Sequence, residues 1–223
     1  MLWRFLHSSS FQSYLHGEDP CSLVLYSEKS EKLCAAICGR LLSHGFDIIL
    51  VAINTTQHNG LKKHLQTAYP RKYINHFDAH TESSEETIQL VLDTTRTRNV
   101  TLLVSCIDAN VCSPLERTEP LRLGPSINIF LDIQKLVIPL LTRNEPSGLL
   151  LTAGTLSPTF SAGREFLESY TSGLSRQLQS LGRDKVHVTL MDYYGSETKS
   201  LGKGTIFSPS VDVLADSILH ALG

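Results

Sequence analysis

Short apolar runs alternate along this chain with longer segments of helical period. Cys21–Tyr26 (CSLVLY) reads as a buried strand. In Glu31–His44, Leu33, Ala36, Ile37, Arg40 and Leu41 recur at helical spacing, and Gly45 ends the run as a glycine past a helix C-terminus does. Asp47–Ile53 (DIILVAI) has almost no polar alternation, which suits a parallel strand covered on both faces. The same reading gives helices at Gly60–Ala68, Glu85–Arg96, Ile127–Thr142, Ala162–Leu181 and Ser210–Leu222. It gives strands at Tyr73–Phe77, Val100–Cys106, Gly148–Thr152 and Lys185–Met191, with a Pro-rich loop over 108–126.

Strands alternating with helices imply right-handed crossovers and an α/β fold: a doubly wound parallel sheet in a three-layer αβα arrangement. Residues 1–20 form an N-terminal extension and 21–223 one Rossmann-like domain. Ligands of such sheets sit at the carboxyl ends of the strands. That rule gathers Ser27–Glu31, Asp78, Ser105–Asp108, Ala153–Phe160 and Asp192–Thr198 around one cleft.

Composition narrows the function classes. The 223 residues are 41% hydrophobic and 19% charged, enough for a full core. A net charge of −2 gives no electrostatic case for nucleic acid. No apolar run approaches the ~20 residues that span a bilayer, so no transmembrane segment is expected. Five cysteines (21, 34, 38, 106 and 112) without a C-x-x-C pair suit a reducing compartment. Residues 1–16 lack acids, are rich in Ser and carry one Arg. That composition suits either a mitochondrial targeting segment or a frayed extension.

Several pieces in order carry a resemblance. They are Gly45-Phe46-Asp47-Ile48-Ile49-Leu50, the helix of Asn128, Phe160-Ser161-Ala162-Gly163-Arg164, Tyr193-Tyr194…Thr198-Lys199 and Phe207-Ser208-Pro209-Ser210. Together they resemble the short-chain dehydrogenases/reductases, most closely the very-long-chain 3-oxoacyl-CoA reductase and hydroxysteroid dehydrogenase branch. The resemblance spans roughly residues 21–223, without that branch's N-terminal membrane segment or its last strand.

The resemblance implies a cofactor loop T-G-x-x-x-G-x-G, which falls on Ser27–Cys34. Its glycine positions hold Glu28, Lys32 and Cys34. Glycine there makes a tight turn and lets backbone N–H groups approach a diphosphate. Three side chains are expected to fill that space, with Glu28 and Glu31 adding negative charge. An ordinary helical turn capped by Ser27 or Ser30 is one alternative, and a loop using Ser and Lys for another phosphate is the other. Ile53 offers no cation for a 2′-phosphate, Asp78 matches the acid that contacts adenine, and Asp108 replaces a glycine beside the adenosine site.

The catalytic positions implied by the family hold Asn128, Thr155 (with Ser157 beside it), Phe160 and Arg164. Phe160 and Arg164 stand where the family has Y-x-x-x-K. Phe160 has no proton to give, and loss of a positioned acid removes ~10²–10⁴-fold of rate. Arg164 is no substitute for a compact ammonium. Tyr193 and Tyr194 read as packing residues, with a replacement hydroxyl as the alternative. Cys34 with Cys38 reads as helix–sheet packing, His76 and His80 as loop histidines without a metal, and Lys62-Lys63-His64 with Arg71-Lys72 as a solvated basic face.

These losses predict a chain that keeps the fold without the chemistry. It would be a pseudoenzyme with no catalytic residue, no cofactor and no metal. It would act as a structural or interaction subunit of a larger, mitochondrial assembly, and pair with other subunits or with itself through helices 127–142 and 162–181. The alternatives are an NADP(H)-dependent reductase of 3-oxoacyl-CoA or steroid substrates with a remodelled site, and an acyl- or steroid-binding module.

Overall fold

The computed structural model describes residues 10–53, 60–79, 84–106, 125–155, 162–194 and 210–221. Six strands, β1 (Pro20–Ser27), β2 (Asp47–Ile53), β3 (Ile74–Ala79), β4 (Asn99–Cys106), β5 (Ser147–Thr155) and β6 (Val186–Tyr194), form one sheet in the order β3-β2-β1-β4-β5-β6. All five neighbouring pairs are parallel. The helices are α1 (Glu31–Ser43), α2 (Gly60–Ala68), α3 (Ser84–Arg96), α4 (Pro125–Arg143), α5 (Ala162–Ser180) and α6 (Val211–His220).

The period-2 pleat sorts the apolar strand residues onto two faces. Val24, Tyr26, Leu50, Ala52 and Val104 pack under α1, α2 and α6. Leu23, Leu25, Val51, Leu103 and Leu151 pack under α3, α4 and α5. Every residue of β2 is buried, as its unbroken apolar run requires. Among the described residues no helix is long and apolar enough to cross a membrane.

The stop after α1 is built as expected. Gly45 takes φ +113. Its N–H donates to Leu42 O, and the Phe46 N–H reaches back to Leu41 O at 3.1 Å. That pair of bonds is the Schellman ending, in which the left-handed position favours glycine. Lys72 Nζ donates to the Gly45 carbonyl, so one member of the basic run 62–72 closes this turn instead of lying in solvent.

Several boundaries differ from the sequence reading: β5 runs to Thr155 and not Thr152, and β6 to Tyr194 and not Met191. β3 runs to Ala79 and not only to Phe77, because it pairs with β2 along its whole length and, as an edge strand, tolerates polar residues. Part of the N-terminal segment is not frayed. Ser10–Tyr14 forms a 3₁₀ turn beneath the amino ends of the strands. Phe11 and Tyr14 are buried there. Tyr14 Oη lies 2.7 Å from His187 Nδ1, Thr101 Oγ1 donates to Tyr14 O at 2.7 Å, and Asn99 Nδ2 donates to His16 O at 2.6 Å. Gly148 makes room for this strap: a Cβ there would stand 2.9 Å from Leu102 Cδ1 and 3.1 Å from Tyr14 Cε2.

Candidate functional site

With this strand order the chain turns to opposite sides of β1 on leaving β1 and on entering β4. The carboxyl ends of β1 and β4 therefore flank the topological switch point, where open α/β sheets bind ligands. The β1–α1 connection lines this crevice. It is a single 3₁₀ turn, Glu28–Ser30, running straight into α1. Ser27 N–H donates to Ser30 Oγ at 3.0 Å, Ser30 Oγ donates to Ser27 O at 3.0 Å, and the two hydroxyls lie 3.2 Å apart. The serines satisfy each other locally, as short hydroxyl side chains do at helix starts.

The three positions expected to crowd the turn behave differently. Glu28 and Lys32 are exposed. Cys34 is fully buried under α1, with its Sγ 3.8 Å from Cys38 Sγ. Burial, and then the hydrogen bond with Cys38, push the Cys34 thiol well above the ordinary cysteine range. The burial of Cys34 agrees with its reading, together with Cys38, as helix–sheet packing. Cys34 belongs to the helix–sheet core, and only Glu28 and Lys32 remain beside the crevice, both on stems with several rotatable bonds.

At the other end of this half of the sheet, Tyr26 reaches across β2. Its hydroxyl lies 3.1 Å from His76 Nε2, and the same nitrogen lies 3.7 Å from Asp78 Oδ1. Burial chiefly, with added repulsion from Cys34, Glu31 and Asp78, raises the Tyr26 hydroxyl. Asp78 keeps 27% of its side chain exposed, against 1% for His76. His76 is a strand residue with its side chain covered, and not a loop histidine. The register predicts this contact once β3 is extended, since Leu50 pairs with His76 and Ala52 with both Tyr26 and Asp78.

The remaining positions are placed by backbone alone. Asn128 lies in the first turn of α4 and Arg164 in the first turn of α5. Thr155 ends β5 opposite Tyr194, with Gly154 opposite Tyr193. Phe160, Ser157, Asp108 and His80 fall outside the described residues.

No family model matches the chain, and no curated protein matches it by sequence. Solved structures do match in shape. A short-chain dehydrogenase from Shigella flexneri superposes with a TM-score of 0.68 at 14% identity, over 97% of this chain and 91% of that one. The NADH-dependent reductase A1-R′ complexed with NAD gives 0.64 at 13% identity, over 92% of this chain and 90% of that one. A blue fluorescent protein from a metagenomic library in complex with NADPH gives 0.64 at 14% identity, over 94% of this chain and 92% of that one.

The expectation of a pseudoenzyme is corrected by these matches. The structures that share the fold end to end include a dehydrogenase and an NADH-dependent reductase. The six-stranded parallel sheet and its flanking helices are the Rossmann-like fold of the short-chain dehydrogenases/reductases.

Proposed function

We propose that this chain is a nicotinamide-dinucleotide-dependent reductase of carbonyl substrates, a member of the short-chain dehydrogenases/reductases with a rebuilt phosphate cradle. The observation that carries this reading is the strand order, with its switch point between β1 and β4 and the N-terminus of α1 directed there. Helix N-termini attract anions. Lys32, in the first turn of α1, is the cation we assign to a diphosphate there in place of glycine N–H groups. Asp78, partly open to solvent near the end of β3, is the acid we assign to the adenosine end.

The dinucleotide, when bound, supplies hydride. The proton for the carbonyl oxygen has to come from a residue other than Phe160. Tyr193 and Tyr194, which close β6 opposite Gly154 and Thr155, are the tyrosines we assign to that task. Long-chain 3-oxoacyl thioesters and steroid ketones are the substrates to try first. They follow from the resemblance carried by Tyr193-Tyr194…Thr198-Lys199 and Phe207-Ser208-Pro209-Ser210. Calorimetric titration with NADH and NADPH, followed by nicotinamide absorbance with those ketones, is the test. A dissociation constant on the order of micromolar is expected for one cofactor. No heat at millimolar concentration of either would end the reading.

Self-association is favoured by a separate observation. A groove between α4 and α5 is lined by Ile138, Pro139, Tyr170 and Gly173, and Leu136 and Leu181 are 38% and 66% exposed. We assign this face to a second copy of the chain. Sedimentation velocity should show a dimer that Gly173→Arg converts to monomer. A monomeric parent chain would refute this.

A further inference from the structure

We infer that the face formed by α2, α1 and α6 pairs with the same face of a second copy, the basic α2 of each lying against the acidic α6 of the other. This face lies across the sheet from the α4–α5 groove, so the two contacts do not compete.

Charge is sorted between the two flanking helices. From Gly60 to Phe77 the chain holds Lys62, Lys63, Arg71 and Lys72 and no acid. α6 holds Asp212 and Asp216 and neither Lys nor Arg. Lys63, His64 and Asp212 are exposed. α1 runs between these helices, and its own charges largely cancel. The turn into it carries Glu28, Lys29, Glu31 and Lys32, two of each sign. Further along, Arg40 Nε lies 2.8 Å from Asp216 Oδ1.

α1 is the floor of a groove of about 470 Å³, with Ala35, Ala36 and Gly39 at its base and His64 and Asp212 on its two walls. The α2 side meets α1 where Tyr69 Oη donates to Gly39 O at 3.0 Å. Glycine weakens a helix interior, yet packing within this chain does not demand it at Gly39, where a Cβ would meet Tyr69 Oη at an ordinary 3.8 Å.

The sorting of charge selects the occupant. A two-fold axis along α1 exchanges the two walls and preserves position along the helix. It sets α2 of one copy opposite α6 of the other, twice over, as an isologous pair requires. An acidic partner would be repelled by α6, and a basic one by α2. Val213, 54% exposed, adds an apolar side chain beside Asp212. Ion pairs at a surface are individually weak and are screened by salt. The contact therefore adds to the α4–α5 pairing only at high protein concentration and low salt.

The experiment follows the full chain by sedimentation velocity over a range of concentrations, at low and at high salt. It is done in the Gly173→Arg background, so that the α4–α5 face does not contribute. At low salt that chain should pass from monomer to dimer as concentration rises, and high salt should prevent it. Adding Lys63→Glu or Asp212→Lys should weaken pairing roughly tenfold in each case, the scale of one like-charge contact near a protein surface. An equimolar mixture of those two variants should pair as the parent does, because each then meets an opposite charge on both walls. Should either fail to fold by circular dichroism, Lys63→Gln and Asp212→Asn must still weaken pairing. A parent that stays monomeric at low salt, or a mixture that pairs no better than either variant alone, overturns the inference.

Discussion

The Tyr26 hydroxyl and His76 Nε2 lie 3.1 Å apart although their strands are not neighbours, because only the small Ala52 of β2 stands between Tyr26 and the row of Asp78. This partly buried contact ties the central strand to the edge strand at the carboxyl end of the sheet. Asp78 sits beside it, its Oδ1 3.7 Å from His76 Nε2.

Removing the hydroxyl tests that tie. Tyr26→Phe leaves a buried imidazole without this partner, a change that costs about 1–3 kcal/mol. Urea unfolding of Tyr26→Phe, His76→Leu and the double variant should show that the losses are not additive. Additive losses would mean that the two side chains do not act as a pair.

Gly148 is predicted to tolerate no side chain. A Cβ would meet Leu102 Cδ1 at 2.9 Å and Tyr14 Cε2 at 3.1 Å. Gly148→Ala should therefore cost about 1–3 kcal/mol, as overpacked cores do. A second variant, Gly148→Ala with Tyr14→Leu, relieves half of the clash and should recover part of the loss in chemical denaturation.

Burial pushes the Tyr14 hydroxyl up to about 12 from its ordinary value of 10.0. In the unfolded chain tyrosine ionises near the lower value. Between the two values the unfolded chain gives up a proton that the folded chain keeps. Stability from this group is complete below pH ~10 and falls by up to about 2–3 kcal/mol as pH rises toward ~12. Urea midpoints measured from pH 9 upward should fall more steeply for the parent chain than for Tyr14→Phe. Equal slopes would remove Tyr14 as a cause.

Cys21, Cys34, Cys38 and Cys106 are all buried, and burial raises the Cys21 and Cys34 thiols above the ordinary range. Thiols in that state are poor nucleophiles. With five cysteines in the chain, a disulfide reagent should label at most one quickly in the native protein. The other four should react only as the protein unfolds. Two or more fast thiols would contradict the packing of α1.

The sheet was legible in the sequence where local chemistry and burial agree. Asp47–Ile53 has no polar residue past its first, and only a strand covered on both faces uses such a run. Gly45 marked the end of α1 because the left-handed turn there needs it. The end of β3 was not legible: His76 and Asp78 break the apolar run, and only the pairing with β2 keeps them in a strand. Ser10–Tyr14 was missed because one 3₁₀ turn is too short to show a period. At the candidate site, position-by-position matching put Cys34 in the phosphate space. The helical period had the better signal, since Cys34 shares its stripe with Ile37, Cys38 and Leu41, all of them buried.

The strap under the sheet also bears on how the chain can be assembled. Tyr14 and His187 are 173 positions apart. During synthesis from the amino end, the Tyr14 ring waits for β4 and β5 before it has a floor, and for β6 before its hydroxyl has a partner. Contacts of such long separation slow folding, because the closure entropy comes before the reward. An aromatic side chain near the amino end is thus among the last to be secured, and nascent chains halted before residue 187 should leave Tyr14 open to proteases.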